Sequence, residues 1–246
     1  LPEKLMDKMM QKGKLYLIPS PLGGNDPAVI PAYVIELLHR MVYIVAERAK
    51  TARLFIKSTN PSRPISDYQV SELNEHTPPS ALQDLLAPAL EGHDLGLVSE
   101  AGCPGVADPG ADLVALAHRQ GIEVVPLVGP SSILLALMAS GLNGQQFCFH
   151  GYLSPRPEDL SKDLKRLEQL SEKNLQTQIF IETPYRNKGV FGQALKTLSA
   201  ETRFCVAADL TLPSQYIRTL KIAEWKKAPV PDLHKRPAIF LIGKSL

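Results

Sequence analysis

Through the first half of the chain, apolar runs too short for a helix alternate with stretches whose apolar residues recur at helical spacing. Residues 14–19 (KLYLIP) predict the first strand, closed by Pro19. A helix follows over 31–39, then a second strand over 42–46 (VYIVA) with Glu47 at its end. Residues 58–77 carry prolines and little periodicity, and predict loop with a weak strand at 65–70. Leu82, Leu85, Leu86 and Leu90 line one side of a helix over 80–90. Leu95, Gly96, Leu97 and Val98 form the central buried strand, which opens into a loop of small residues, Gly and Pro at 99–105. Asp108 and Pro109 suit the start of a helix whose apolar face is Leu113, Val114, Leu116 and Ala117, stopped by Gly121. Ile122, Val124 and Val125 give the next strand, which again ends in Pro126, Gly129 and Pro130. In open parallel sheets such strand-end loops share one edge and form the ligand crevice.

The second half is less regular. Ser131 or Ser132 is positioned to cap a helix through Ile133, Leu134, Leu135, Leu137 and Met138 that is apolar enough to be buried between domains and ends at Gly141. Strands are predicted at 147–150, 178–182, 203–207, 217–220 and 238–242. Helices are predicted at 158–170 and 190–198, with a Pro-rich connection over 226–237. The expectation is an α/β chain of two lobes, residues 14–128 and 129–246, with a mainly parallel sheet in the first and a mixed sheet in the second.

Composition narrows the chemistry only a little. A chain of 246 residues can bury the cores of two small domains. Its net charge of +2 neither announces nor excludes a nucleic-acid partner. Cys103, Cys148 and Cys205 lie far apart with no paired spacing, so no disulfide framework or metal site is expected and a reducing cytoplasm fits best. No apolar run is long enough to span a bilayer, and the opening residues carry charge, with a short amphipathic helix readable through Leu5, Met6, Met9 and Met10. The loop at 20–26 contains a Gly-Asn turn, but its glycines do not give the dinucleotide fingerprint, which sets a nucleotide-binding oxidoreductase last among the readings.

The order of residues in these loops is more specific. SEAGCPGVADPG followed by PLVGPSS resembles the paired loops of the S-adenosylmethionine-dependent tetrapyrrole methylase superfamily. It is most similar to the branch that methylates a cytidine ribose 2′-oxygen in small-subunit ribosomal RNA, whose pattern is S-D-A-G-T-P-x-x-x-D-P-G; here Glu100 replaces the Asp and Cys103 the Thr. Ser20, Pro21, Leu22 and Gly23 resemble that branch's T-P-I-G-N-L loop, and FIETPYR resembles F-Y-E-S-P-H-R with Phe180, Glu182, Pro184 and Arg186 retained. GYLSPRPEDL resembles G-F-L-P-R-K, FCVAADLT resembles the strand ending in A-R-E-L-T, and Asn74, Glu75 and His76 resemble part of H-E-H-N-E. AERAKTARLFI matches A-E-D-T-R-H-T-R-K-L-L in part, with Arg48 and Lys50 standing where the branch has Asp and Arg.

The resemblance implies S-adenosylmethionine as cofactor, held in a cleft between the lobes by Pro21, Gly102, Cys103, Val106, Ser131 and Ser132 from the first and by Ile181, Ala208 and Ala238 from the second. It implies a homodimer, and ribosomal RNA or a ribosomal subunit as partner; Arg48, Lys50, Arg53 and Arg156, which fall in loops or helix starts at the carboxyl edge of the predicted sheets, are the residues expected to meet phosphates. Methyl transfer is an in-line displacement, so placing the acceptor and excluding water outweigh any protein nucleophile. If the acceptor is a ribose hydroxyl its proton must leave, and Glu47, Glu75 and His76 are the candidate acceptors; no single catalytic residue is assigned. A methyltransferase of tetrapyrroles or other small molecules, and an S-adenosylmethionine-binding protein without the chemistry, stay open beside the RNA reading.

Overall fold

The computed structural model describes residues 11–24 and 26–244. The helix read through Leu5, Met6, Met9 and Met10 and the turn at Asn25 lie outside the described residues. The chain forms two compact units, one ending at Pro130 and one beginning at Ser131.

Unit 1 alternates strand and helix: β1 (Leu15–Ile18), α1 (Ala32–Arg40), β2 (Tyr43–Ala46), α2 (Ala49–Ser58), β3 (Gln69–Glu72), α3 (Leu82–Leu90), β4 (Leu95–Val98), α4 (Gly110–Arg119) and β5 (Val124–Pro126). The strands lie in the order β3-β2-β4-β1-β5 and every pair is parallel. Alternation along the strands splits the core in two. Ile18, Ile44 and Val98 pack with Val34, Leu38, Phe55 and Ile56 of α1 and α2. Leu15, Val45, Leu95 and Leu97 pack with Leu86 of α3 and with Leu113 and Ala117 of α4.

Unit 2 contains α5 (Ser132–Ser140), β6 (Phe147–Tyr152), α6 (Pro157–Asn174), β7 (Thr177–Glu182), α7 (Asn187–Thr197), β8 (Arg203–Ala208), β9 (Tyr216–Lys221), α8 (Ile222–Trp225) and β10 (Ala238–Gly243). Its sheet has the order β6-β7-β10-β8-β9, with β6 and β7 parallel and the other pairs antiparallel. The parallel and mixed sheets expected from the sequence are therefore both present. α6 shows why its residues choose a helix. Pro157 opens it, Glu158 and Asp159 occupy the positive first turn, and Leu160, Leu164 and Leu167 bury one face. Its last turn is closed by Leu175 in the left-handed region at φ 52°.

Three local expectations are corrected. The weak strand at 65–70 is a 3₁₀ turn at Ile65–Asp67 followed by β3, because Pro64 starts the turn and pairing to β2 aligns Tyr43 with Gln69. As an edge strand with mostly exposed residues, β3 carries no apolar period to read. α5 is not sheathed in protein: Ala136 and Leu137 are buried, whereas Leu134 and Met138 are 51% and 79% exposed. Ser131 stands at its N-cap without a capping side-chain hydrogen bond, while Gly141 ends it at φ 67° as expected. The short helix α8, just before the Pro-rich connection, was not anticipated; Trp225 anchors it by donating its indole N–H to the Phe204 carbonyl at 2.7 Å.

Candidate functional site

In unit 1 the strand order sets β4 beside β1 and β1 beside β5, all parallel, so the loops after Ile18, Val98 and Pro126 leave from one edge. Backbone bonds stitch them together. Ser20 N–H donates to the Gly102 carbonyl at 2.9 Å and Gly102 N–H to the Ser20 carbonyl at 3.1 Å, a small antiparallel bridge between loops of a parallel sheet. The Ser20 hydroxyl donates to the Ser99 carbonyl at 3.0 Å and the Ser99 hydroxyl to the Gly102 carbonyl at 2.9 Å. The Cys103 thiol points at the Pro130 carbonyl at 3.5 Å, which ties the third loop to the first two.

Two glycines make this approach sterically possible. Gly102 sits at φ +77°, and a Cβ there would stand 3.1 Å from Leu22 Cδ2 and 3.3 Å from the Pro130 carbonyl oxygen. At Gly129 the constraint is space, since a Cβ would fall 2.2 Å from Pro19 Cγ. The far side of the loop is held by Asp108, whose Oδ1 accepts the N–H of Gly105 at 2.8 Å and of Gly110 at 2.7 Å; Pro109 occupies the N-cap of α4, and Asp108, one residue ahead of it, satisfies the first N–H of the helix. Of the predicted residues in unit 1, Pro21 and Gly102 are buried, Cys103 is half-buried and Val106 is exposed, all on these stitched loops. Ser131 and Ser132, half-buried, begin unit 2 rather than ending unit 1.

The electrostatics of this edge are acidic. Burial raises the Glu47 carboxyl above its ordinary value, and the Glu100, Asp108 and Glu75 carboxylates push the same way against Arg48. Asp108 is also raised by burial, its two backbone hydrogen bonds opposing. Burial raises the Cys103 thiol, so it stays protonated. The other two proton-acceptor candidates have different surroundings: Glu75 and His76 are exposed and face each other at 3.5 Å. Glu72 was missed in the sequence; its carboxylate accepts the Ala49 N–H at 2.8 Å and so caps α2 from the end of β3, a contact no local pattern announces.

In unit 2 the ends of β7 and β8 and the start of β10 share one edge. Ala238 pairs with both Glu182 and Ala208, so Ala208 and Ala238 are brought side by side. Ile181 pairs instead with Ile239, one residue out of step, which puts its side chain on the opposite face of the sheet. Ala208 and Ala238 face the apolar core with Phe180 and Phe240, leaving mainly backbone for a ligand at this edge. Ionic contacts surround it. The buried Glu182 carboxylate lies 2.9 Å from Arg186, which donates to the Ser154 carbonyl at 3.2 Å. Asp209, at φ 51°, takes Arg236 Nε and the Ser214 hydroxyl on one oxygen, each at 2.7 Å. Arg236 also donates to the Asp232 and Ser214 carbonyls. Cys205 lies in the core beneath, its thiol pushed up to about 11 by burial.

The four cations read as phosphate contacts divide. Arg48, Lys50 and Arg53 are exposed at the start of α2, whereas Arg156 pairs with Asp159 at 2.7 Å. Among the described residues no three His, Cys, Asp or Glu side chains gather as a metal site, and no helix is long and apolar enough to cross a membrane.

Comparison with known proteins adds the lineage. The chain is 30% identical over 213 residues to the ribosomal RNA small subunit methyltransferase I of Escherichia coli, covering 87% of this chain and 71% of that protein. It is 34% identical over 205 residues to the protein of the same name from Mesorhizobium japonicum, covering 83% of this chain and 66% of that one. The matched stretch thus spans about two thirds of each relative's length. The crystal structure of the methyltransferase CobJ superposes with a TM-score of 0.62 at 20% identity, covering 95% of both chains, which places the fold. The family model for tetrapyrrole (corrin/porphyrin) methylases matches residues 14–226, and the chain belongs to that family of methyltransferases.

Proposed function

We propose that this chain binds S-adenosylmethionine and methylates a ribose 2′-hydroxyl of ribosomal RNA. The observation that carries the reading is the stitched edge of unit 1, where the Ser20–Gly102 bridge and the Cys103–Pro130 contact hold three strand-end loops around Gly102, whose left-handed backbone and close neighbours disfavour a side chain. Those loops fit the cofactor's needs. Cys103 and Val106 offer apolar surface to an adenosine, with the buried Pro21 shaping the loop behind them, and loop amides and carbonyls offer hydrogen bonds. The carboxylates of Glu47, Glu100 and Asp108 favour a positively charged ligand. Bound there, S-adenosylmethionine would supply the methyl group. From unit 2 we assign Ile181, Ala208 and Ala238 as contacts through their backbone, with Ser131 and Ser132 at the start of that unit.

Of the three proton-acceptor candidates, Glu47 has the surroundings of a base. Burial and like charge raise its affinity for a proton, which suits it to take one from a hydroxyl, whereas Glu75 and His76 stand exposed. Arg48, Lys50 and Arg53, exposed beside it, would meet RNA phosphates. The names of the relatives support ribosomal RNA as the acceptor. We assign a homodimer acting in the cytoplasm, in keeping with three free cysteines.

The test is methyl transfer from labelled S-adenosylmethionine to total RNA, assembled and unassembled ribosomal subunits, and a porphyrinogen. Label should enter small-subunit RNA and survive alkaline hydrolysis as a methylated dinucleotide, because a blocked 2′-oxygen cannot cleave the chain. Label confined to the porphyrinogen, or found nowhere, overturns the reading.

A further inference from the structure

Tyr185 stands at the carboxyl end of β7, where the resembled motif has a histidine, and its side chain is left outside the core at 74% exposure. Single exposed aromatics are common and carry little by themselves. This one is held on a loop with little freedom. Thr183 N–H donates to Glu182 Oε1 at 2.7 Å and Arg186 N–H to the Thr183 carbonyl at 2.9 Å. The Arg186 side chain is anchored by the Ser154 carbonyl and the Glu182 carboxylate, and Lys235 N–H donates to the Pro184 carbonyl at 3.2 Å. The backbone that carries the ring is thus held from both sides.

Cations flank it. Lys235 Nζ lies 5.9 Å from the centre of the Tyr185 ring. Lys235 adopts φ +58°, a left-handed backbone in which glycine is at ease and lysine is strained, yet a lysine stands there. Lys188, in the first turn of α7, is exposed, and among the described residues neither lysine has an acidic partner. The charge of the whole unit runs the same way: residues 131–246 hold 16 Lys and Arg against 10 Asp and Glu, while residues 1–130 hold 11 against 15. An exposed aromatic face on a held loop, with the Lys235 ammonium beside it and Lys188 three residues on, matches an unpaired nucleobase and its flanking phosphates. A tetrapyrrole carries carboxylates too, but its broad macrocycle needs apolar walls, and the neighbours here, Thr183, Lys188 and Lys235, are polar and exposed.

We propose that Tyr185 is a stacking platform for an unpaired base of the RNA acceptor, with Lys188 and Lys235 on the adjacent phosphates. This rests on the RNA reading given above. Binding of a labelled short single-stranded RNA, followed by fluorescence anisotropy over a salt series, tests it on the full chain. Tyr185→Ala should weaken binding about tenfold with the salt slope unchanged, and Tyr185→Phe should retain affinity. Lys188→Ala and Lys235→Gly should each lower the slope of log affinity against log salt by about 0.7. Lys235→Gly relieves the left-handed strain, so its melting temperature should not fall, which separates lost binding from lost folding. If the unsubstituted protein binds the RNA and Tyr185→Ala binds it equally well, the platform is wrong and the RNA reading stands. If the unsubstituted protein neither binds nor methylates RNA, both fall. If it binds a porphyrinogen through Tyr185 and no RNA, the occupant is a tetrapyrrole and this proposal is overturned.

Discussion

The two sheet edges are held together by different means. In unit 1 three parallel strands deliver their ends to one place, joined by backbone bonds between Ser20 and Gly102, by the small neutral side chains of Ser20, Ser99 and Cys103 on backbone carbonyls, and by the close approach of Gly129 to Pro19. In unit 2 the edge is made by strands of opposite direction, β7 and β8 leaving as β10 arrives, and it is joined by side chains: Glu182 with Arg186, and Asp209 with Arg236. An edge joined by backbone and small neutral side chains leaves carboxylates such as Glu47 and Glu100 out of the joint and can be acidic, with Asp108 held by the Gly105 and Gly110 amides. A side-chain-joined edge commits its charges to structure, and what remains for a partner lies on the outer loops.

The contrast breaks most readily at Asp209. Asp209→Ala would leave the Arg236 guanidinium, only 20% exposed, without its carboxylate, and a loss of about 3 kcal/mol in urea unfolding is expected. A loss near zero would mean that charge does not hold that edge. Gly129→Ala attacks the other edge by volume alone; with Pro19 Cγ at 2.2 Å from the new Cβ, it should cost roughly 2 kcal/mol. Gly102→Ala should cost about 1 kcal/mol for the left-handed backbone, and should also weaken S-adenosylmethionine binding by calorimetry. Stability lost with affinity intact would separate that glycine from the cofactor.

Two effects of about 1 kcal/mol or less sharpen the comparison through pH. Glu47 is raised above 4.5 in the fold, chiefly by burial, so its ionisation penalises the native state as pH climbs through that raised value and is no burden below 4.5. Glu47→Gln should therefore gain a few tenths of a kcal/mol at neutral pH and nothing in acid, measured by thermal melts across pH. Asp163 in unit 2 behaves oppositely. Burial pushes it up, but the Ser154 hydroxyl at 2.6 Å, the Ser154 amide and Arg166 together hold it below 3.8. Its contribution is present above 3.8 and lost as pH falls through the lowered value, so Asp163→Asn should destabilise by about 1 kcal/mol at neutral pH and by progressively less in acid. Parallel pH profiles for the two variants would contradict the opposite surroundings described for these groups.

How much of this was legible beforehand follows from the range of each interaction. Strand and helix succession, the Gly and Pro loops after 98 and 126, the Asp108 cap and the Gly141 stop are written in neighbouring residues, because periodicity, capping and left-handed backbone act over a turn or two. β3 departs from the sequence expectation because an edge strand with little buried surface has no apolar period. α5 was expected to be buried because its composition is apolar all round, and composition cannot say which side of a helix meets protein.

The sequence by itself determined the α/β class, the loops that resemble a cofactor bed, and the family motifs at 99–110 and 180–186. Only the tertiary structure decided which of those residues meet. Strand order makes Ser20 and Gly102 partners across the gap between two loops, and strand register sets Ala208 beside Ala238 while turning Ile181 to the other face. It also brings Arg236 to Asp209 and Lys235 to the ring of Tyr185. The physical reason is that pairing and packing join residues far apart in the chain, so their energies depend on strand order and register, which a local pattern does not encode.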